Sequence, residues 1–264
     1  MKRYLQNSSK ILSLIFFFII WEGVAFYIDN SLLFPRIGEI ASSLKNILIE
    51  QSFIFVLWNT LSRFFISIII SLVLSIILAV ISYNYNFIQL ILSPFIIFLR
   101  AVPTIAIIIL VLIWSSVEVV PIVVGVLILF PILYESILGG IEGVDKNLIK
   151  MSRVFKVSNR RVIKDIFIPS IYFSISPSLP SYIGLTFKVI IAGEVLSQES
   201  LSIGGEIFIN KIYLESPNIF AWIIVIIFLN YILERGLKLL NNRFCRWKRW
   251  KLSILKKIME KGRF

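Results

Sequence analysis

The 264-residue chain has no histidine and only one cysteine, Cys245. These absences exclude a disulfide framework, a Cys/His metal site and histidine-based acid–base or nucleophilic chemistry. The sequence also lacks a G-x-x-x-x-G-K-[ST] phosphate-binding loop. We therefore expect no catalytic residue, no metal ligand and no cofactor bound by this chain.

Charged residues are scarce, at 16% of the chain, whereas 58% of the residues are hydrophobic and the mean hydropathy is +0.91. Soluble domains are about 45–50% apolar. The composition is therefore that of a membrane protein. A net charge of +12 would also suit a nucleic-acid-binding protein, so its distribution along the chain decides its meaning.

Long apolar runs predict about six transmembrane helices, since roughly 20 apolar residues cross a bilayer. The first run follows Lys2, Arg3 and Lys10, as in a signal peptide, but no A-x-A-like cleavage site follows it. A retained signal-anchor helix is the favoured interpretation. The predicted spans are Ile11–Ile28, Phe53–Ile81, Phe95–Ile113, Val119–Leu138, Ile171–Ile191 and Ile219–Leu239.

The basic residues lie mostly on one side of these spans. With the N-terminus inside, and with Arg235 and Lys238 counted with the C-terminal tail, 21 of the 27 Lys and Arg residues fall in inner segments. The positive-inside rule then places both termini in the cytoplasm, and the net charge reports membrane topology, so we expect no nucleic-acid partner. The outer segments hold Arg36, Lys45 and Lys211 together with Asp29, Glu39, Glu50, Glu194, Glu199, Glu206 and Glu215.

The inner segment "KNLIKMSRVFKVSNRRVIKDIFIPS", residues 146–170, carries seven basic residues. Leu148, Met151 and Phe155 share one face of a predicted helix, and Ser158 and Asn159 suit the N-terminal cap of a second helix. Pattern alone leaves two alternatives open. The segment is either a surface loop on anionic lipid or a docking element for another protein.

The spacing in this segment resembles the cytoplasmic loop of the permeases of binding-protein-dependent ABC transporters. That family has Glu-Ala-Ala, three residues, a glycine, nine residues and then Ile-x-Leu-Pro. This chain keeps the spacing but replaces the leading residues. The corresponding positions hold Lys150, Met151 and Ser152, then Lys156, and then Ile166 to Pro169.

Five further segments are similar to the family in the same order along the chain. They are "FPRIGEI", "NTLSRFF", "PFIIFLRAVPTIAIIIL", "FPILYESILGGIEGVDKNLIK" and "GLTFKVIIAGEVLS". The subgroup that they resemble most is that of the nitrate, sulfonate and taurine importers. By contrast, "LSIGGE" at 201–206 matches the ATP-binding subunits' Leu-Ser-Gly-Gly-Gln signature only superficially, because Ile203 interrupts it and the topology places it outside.

The resemblance implies a transmembrane permease subunit of an ATP-driven importer in the bacterial plasma (inner) membrane. A second permease copy, an ATP-binding subunit that holds ATP and Mg, and an extracytoplasmic solute-binding protein would be its partners, with lipid around the spans. The solute would be a nitrate-, sulfonate- or taurine-like anion or a related small organic compound. The residues implied to couple to the ATPase are Leu148, Lys150, Met151, Ser152, Arg153, Phe155, Lys156, Ser158, Ile166 and Pro169.

Lys156 stands where the family has glycine. If this position takes a left-handed conformation, lysine costs roughly 1 kcal/mol relative to glycine. The alternative is a turn shifted to Ser158–Asn159.

Charged and polar residues inside the spans are candidates for the translocation path. The fifth span is rich in serine, and Pro177 and Pro180 predict a break in its helix. Lys188 there either pairs with a carboxylate or meets an anionic substrate. The path residues expected are Lys188, Ser178, Thr186 and Glu22.

The sequence thus predicts an all-α polytopic membrane protein with about six transmembrane helices and a cytoplasmic coupling-helix loop. We expect an N-terminal helix and outer segment at 1–52, a permease core at 53–240 with the loop at 139–170, and a basic amphipathic tail at 241–264. The alternative function is a self-sufficient secondary transporter driven by an ion gradient. Missing internal repeats and few intramembrane carboxylates argue against it.

Overall fold

The computed structural model describes the backbone of residues 2–261 and the side chains of residues 12, 13 and 15–239. The predicted tail at 241–264 therefore lies outside the described side chains. Residues 2–261 form helices and connecting turns, without a strand. The helices are α1 (Lys2–Ile28), α2 (Ile37–Ile49), α3 (Phe53–Asn84), α4 (Asn86–Ala101), α5 (Thr104–Trp114), α6 (Val120–Glu142), α7 (Lys146–Val154), α8 (Asn159–Val162), a π-helical turn (Ile163–Phe167), α9 (Ile168–Ile175), α10 (Leu179–Ser197), α11 (Ile203–Ile212) and α12 (Ser216–Lys261).

The chain packs as two compact units, each assembled from separate stretches of sequence. The first unit comprises Met1–Ser62 and Ile191–Phe228. The second comprises Arg63–Ile190 and Leu229–Phe264. Both predicted outer segments, 29–52 and 193–218, fall in the first unit, and the predicted inner loop 139–170 falls in the second.

Within the described part of the chain, four helical segments are long and apolar enough to cross a membrane. They are Phe53–Asn84, Val120–Glu142, Leu179–Ser197 and Ser216–Leu239. The pair α4 and α5 would make a fifth span. In α1, the apolar helix within the described side chains is Ile15–Ile28. The prediction of an all-α polytopic membrane protein is confirmed.

The third predicted span, Phe95–Ile113, is not one straight helix. The axes of α4 and α5 differ by 107°. Between them, Val102 is extended, with φ −74° and ψ 132°. Pro103 causes this break, because a proline disfavours helical dihedrals in the residue before it. The eleven residues of α5 are about 16 Å long, too short to span a bilayer alone.

The fifth predicted span is broken where its prolines predict a break. Helix α9 ends at Ile175 and α10 begins at Leu179, with Pro177 between them. Pro180 lies in the first turn of α10, where the missing N–H costs no intrahelical hydrogen bond. This prediction is confirmed.

Small residues bring α3 and α6 close together in the second unit. Ser67 donates a hydrogen bond to the Ile122 carbonyl at 3.2 Å, and Ser75 donates one to the Phe130 carbonyl at 3.0 Å. A Cβ on Gly125 would lie 2.9 Å from the Ser67 hydroxyl oxygen, so a larger residue would force its neighbours to shift. Packing of this kind joins helices in membranes, where apolar burial supplies little driving force.

Helix α6 is the centre of the second unit. It packs against α4, α5 and α9. Its buried residues form an apolar core with parts of α3, α4 and α9. The core comprises Ala79, Ile96, Leu99, Leu129, Phe130, Leu133, Tyr134, Ile137, Leu138, Ile141 and Ile175.

Candidate functional site

Helix α7 is the first element of the segment 146–170, here called the docking loop. Asp145 caps its N-terminus, since the carboxylate accepts the Asn147 backbone N–H at 2.8 Å. The face predicted to be apolar is open to the surroundings, with Leu148, Met151 and Phe155 exposed; Phe155 is 72% exposed. Lys150 and Arg153 are also exposed, whereas Ser152 is buried. The helix therefore presents an apolar face with basic neighbours.

The turn after α7 is centred on Lys156, which has a φ of 51°. The Val157 N–H donates to the Ser152 carbonyl at 2.9 Å, and the Lys156 N–H donates to the Arg153 carbonyl at 3.1 Å. This pair of bonds is a Schellman motif, which usually has glycine in the left-handed position. The alternative turn at Ser158–Asn159 is wrong, because the left-handed residue is Lys156.

Replacing Lys156 with glycine is predicted to stabilise this turn. Glycine relieves the left-handed strain, so Lys156→Gly should stabilise α7 by about 1 kcal/mol against local opening. Amide hydrogen exchange in residues 146–157 should slow about fivefold. Lys150→Gly is the matched control, since it places glycine inside the helix and should speed exchange instead. Faster exchange in Lys156→Gly would contradict the assigned turn.

The second predicted helix of the loop is short and merges with the next element. Ser158 is at the N-cap of α8 as expected, but its side chain makes no capping hydrogen bond. A π-helical turn links α8 to α9. Ile166, in that turn, and Pro169, in the first turn of α9, are both half-buried. They anchor the loop, whereas the exposed apolar face belongs to α7.

The residues predicted for the path on the fifth span have different surroundings. Lys188 is exposed, whereas Thr186 is buried and donates to the Tyr182 carbonyl of its own helix at 2.8 Å. Ser178 is half-buried in the break between α9 and α10. Lys188 is therefore the most accessible of the three side chains.

Glu22 lies in the first unit, on α1. Its carboxylate accepts the backbone N–H of Ile37 at 3.2 Å, the first residue of α2. A carboxylate at a helix N-terminus is stabilised by the unpaired N–H groups and the helix dipole. The neighbouring Trp21 indole donates to the Pro35 carbonyl at 3.1 Å. In the described structure, Glu22 thus fixes the start of α2.

The two predicted outer segments meet in the first unit. Ser216 donates a hydrogen bond to the Leu32 carbonyl. Two clefts lie between these segments. The cleft of about 280 Å³ is lined by Ser31, Leu32, Ser43, Tyr213, Leu214, Glu215, Pro217 and Asn218. The cleft of about 420 Å³ is lined by Asn46, Ile47, Ile49, Glu50 and Asn218. Burial and the nearby Glu50 carboxylate raise the pKa of Glu206. The surface formed by 29–52 and 213–218, here called the outer surface, is grooved, and it is acidic because it holds Asp29, Glu39, Glu50 and Glu215 against Arg36 and Lys45.

Sequence reasoning missed a buried polar cluster at the end of α10. Glu194 is fully buried, and its carboxylate accepts the Thr60 hydroxyl at 3.0 Å and the Gly204 N–H at 3.1 Å. Thr60 in turn accepts the Ile203 N–H at 3.0 Å. We call these four residues the Glu194 cluster. From the sequence, Glu194 is one of several charges of the outer segments. The nearby pair Gly204–Gly205 is the sequence signal that points to close packing here.

The comparisons with known proteins decide the family. Residues 71–245 match the model of the "binding-protein-dependent transport system inner membrane component" family. The chain belongs to this family of ABC transporter permeases. The match includes α6, the docking loop and α10, so the resemblance noted in the sequence is confirmed.

Two curated proteins are similar to this permease. One, provisionally described as an ABC transporter permease of Methanocaldococcus jannaschii, is 24% identical over 237 residues, which is 88% of each chain. The other, provisionally described as an aliphatic sulfonates transport permease of Bacillus subtilis, is 23% identical over 162 residues. That match covers 61% of this chain and 58% of the relative.

A solved structure has the same fold as this permease. It is the crystal structure of an amino acid ABC transporter with histidines, with a TM-score of 0.56 and 17% sequence identity. The match covers 71% of this chain and 89% of the other. This likeness supports the fold, whereas the family match and the long apolar helices make the chain a multi-pass membrane permease component of an ABC transporter.

Proposed function

We propose that this permease is the membrane subunit of an ATP-driven importer and that α7 transmits movement from a separate ATP-binding subunit. Two copies of the chain would form the path, with both termini in the cytoplasm of a bacterial inner membrane. An extracytoplasmic binding protein would deliver the solute. The observation that carries the proposal is the exposed apolar face of α7 on an otherwise basic loop in a member of this family.

The docking loop supports a protein partner better than a lipid surface. Its apolar face is short, and its turn is held by two Schellman hydrogen bonds on a strained lysine. A loop that only rests on lipid needs no fixed turn at its centre. A cleft on a partner needs an ordered helix, because ordering on binding costs affinity.

The outer surface supports docking of the extracytoplasmic binding protein on this permease. Both outer segments belong to one compact unit, and the Ser216–Leu32 hydrogen bond joins them. The acidic character of its grooves suits a partner with complementary basic residues.

The path and its solute are proposed from one side chain of α10 and from one relative. The exposed Lys188 on α10 is the residue that would meet the acidic group of a solute. The aliphatic sulfonate transport of the Bacillus subtilis relative supports a sulfonate or related small organic acid as the solute class.

Uptake in cells with and without this chain tests the proposal. Radiolabelled taurine, ethanesulfonate and nitrate are supplied separately. We expect uptake of at least one solute to be lost without the chain, to stop when ATP is depleted, and to persist when an ionophore collapses the ion gradients. Uptake that stops with the ionophore while ATP remains would favour a secondary transporter. Uptake of none of the three would refute the proposed solute class.

A further inference from the structure

Helix α6, whose residues are all described, exposes a single stripe. Glu135, Gly139 and Glu142 are exposed, whereas the other residues of this helix are buried or half-buried. Positions four and seven residues apart lie on one helical face. The exposed positions of the helix at the centre of the second unit are therefore two carboxylates and a glycine.

Helix α4 contributes a matching polar stripe. Arg100 forms an ion pair with Glu135, and the Gln89 amide donates to the Glu142 carboxylate at 3.4 Å. Ser93, which is exposed, lies between Gln89 and Arg100 on α4. The two helices thus form one polar face, which we call the α4–α6 face.

The ion pair between Arg100 and Glu135 is exposed to its surroundings. The Arg100 and Glu135 side chains are 53% and 44% exposed. A charge facing hydrocarbon costs at least about 2.5–3.5 kcal/mol, so charged groups inside a membrane span face protein or a water-filled cavity. The opposite side of α4 is apolar and is the side suited to lipid, with Phe98 56% exposed.

We propose that the α4–α6 face lines the aqueous translocation path and gives it a negative bias. This inference rests on the proposed function as an importer. Arg100 is already neutralised by Glu135, which leaves Glu142 as the uncompensated charge on the face. The seven residues from Glu135 to Glu142 rise about 10 Å along the helix. The solutes favoured are zwitterions with a cationic group, over simple anions of the same size.

The test uses Gly139→Cys in a Cys245→Ser background. A side chain at Gly139 would meet open space, so the change should not disturb packing. The complex in native membranes is treated with two membrane-impermeant methanethiosulfonates, one carrying trimethylammonium and one carrying sulfonate. Each labelling rate is divided by the rate of that reagent with a small thiol in solution.

We expect both reagents to label Gly139→Cys, with the cationic reagent at least threefold faster after this correction. Glu142→Gln in the same background should reduce that ratio toward one. Phe98→Cys, on the opposite side of α4, should remain unlabelled. Ser93→Cys, on the α4–α6 face, gives a second probe if Gly139→Cys does not accumulate.

Two results would overturn the inference. Absence of labelling at both Gly139→Cys and Ser93→Cys would mean that the face is not aqueous. Labelling without a cation preference would remove the negative bias. Each variant is also assayed for co-purification of an ATP-binding subunit. If Gly139→Cys and Ser93→Cys both retain this subunit but neither is labelled, the inference alone is refuted, whereas loss of the subunit from the unsubstituted chain refutes the proposed function.

Discussion

Phe155→Asp is expected to abolish binding of the ATP-binding subunit without unfolding the permease. Phe155 is 72% exposed on the apolar face of α7, so its replacement removes little internal packing. In the proposed complex the ring is buried in a cleft, where a carboxylate would have to lose its water without a partner. Buried aromatic anchors commonly contribute 2 kcal/mol or more to binding, about a 30-fold loss of affinity. A buried carboxylate in that cleft should lower the affinity further than loss of the aromatic ring alone.

The measurement is the amount of ATP-binding subunit that co-purifies with the permease, together with its ATPase rate. Asn159→Asp is the matched control, because it adds the same charge to an exposed site of the loop at the start of α8. A carboxylate in the first turn of a helix is favourable, so this variant should retain the subunit. Equal binding by Phe155→Asp and Asn159→Asp would contradict a docking role for the apolar face.

Gly204→Ala is expected to destabilise the first unit more than a helix substitution normally does. A Cβ at this position would lie 2.4 Å from the Glu194 Cβ and 2.6 Å from the Val195 backbone nitrogen. The backbone would have to shift, which would break the 3.1 Å hydrogen bond from the Gly204 N–H to Glu194. Overpacking costs about 1–3 kcal/mol and an unsatisfied buried polar group costs about 1–3 kcal/mol more.

Thermal unfolding of the detergent-purified permease, followed by size-exclusion chromatography, provides the measurement. Gly204→Ala should lower the midpoint by several degrees, since about 1 kcal/mol corresponds to 2–4 °C in a chain of this size. Gly38→Ala is the control in the same unit, because a Cβ there meets nothing within 4 Å. That variant should be as stable as the unsubstituted chain or more stable. If Gly204→Ala and Gly38→Ala have the same unfolding midpoint, the Glu194 cluster is not closely packed.

The membrane-spanning character of the chain followed directly from the sequence because it depends on composition over long windows. Runs such as Phe53–Ile81 are too apolar for any other element, and Pro177 marked a real break in the fifth span. The sharp bend at Pro103 was not predicted, although the proline was visible. A proline indicates where a helix is weakened, whereas the bend angle at that point depends on the helices packed around it.

Side-chain contacts between distant segments could not be read from periodicity. Glu194 was interpreted as one of several outer charges, yet its partners Thr60 and Gly204 bury it completely. The pair Arg100 and Glu135 was equally hidden, because it joins two helices that are separated by α5. Local features were easier to predict, because the left-handed residue is Lys156, the position that the spacing aligns with the family's glycine.

Native mass spectrometry of the complex extracted from membranes in mild detergent tests the central claim most directly. The account predicts a particle with two copies of this chain and two copies of an ATP-binding subunit, which the Phe155→Asp variant fails to form. A stable, transport-active particle that contains this chain and no ATP-binding subunit would contradict it.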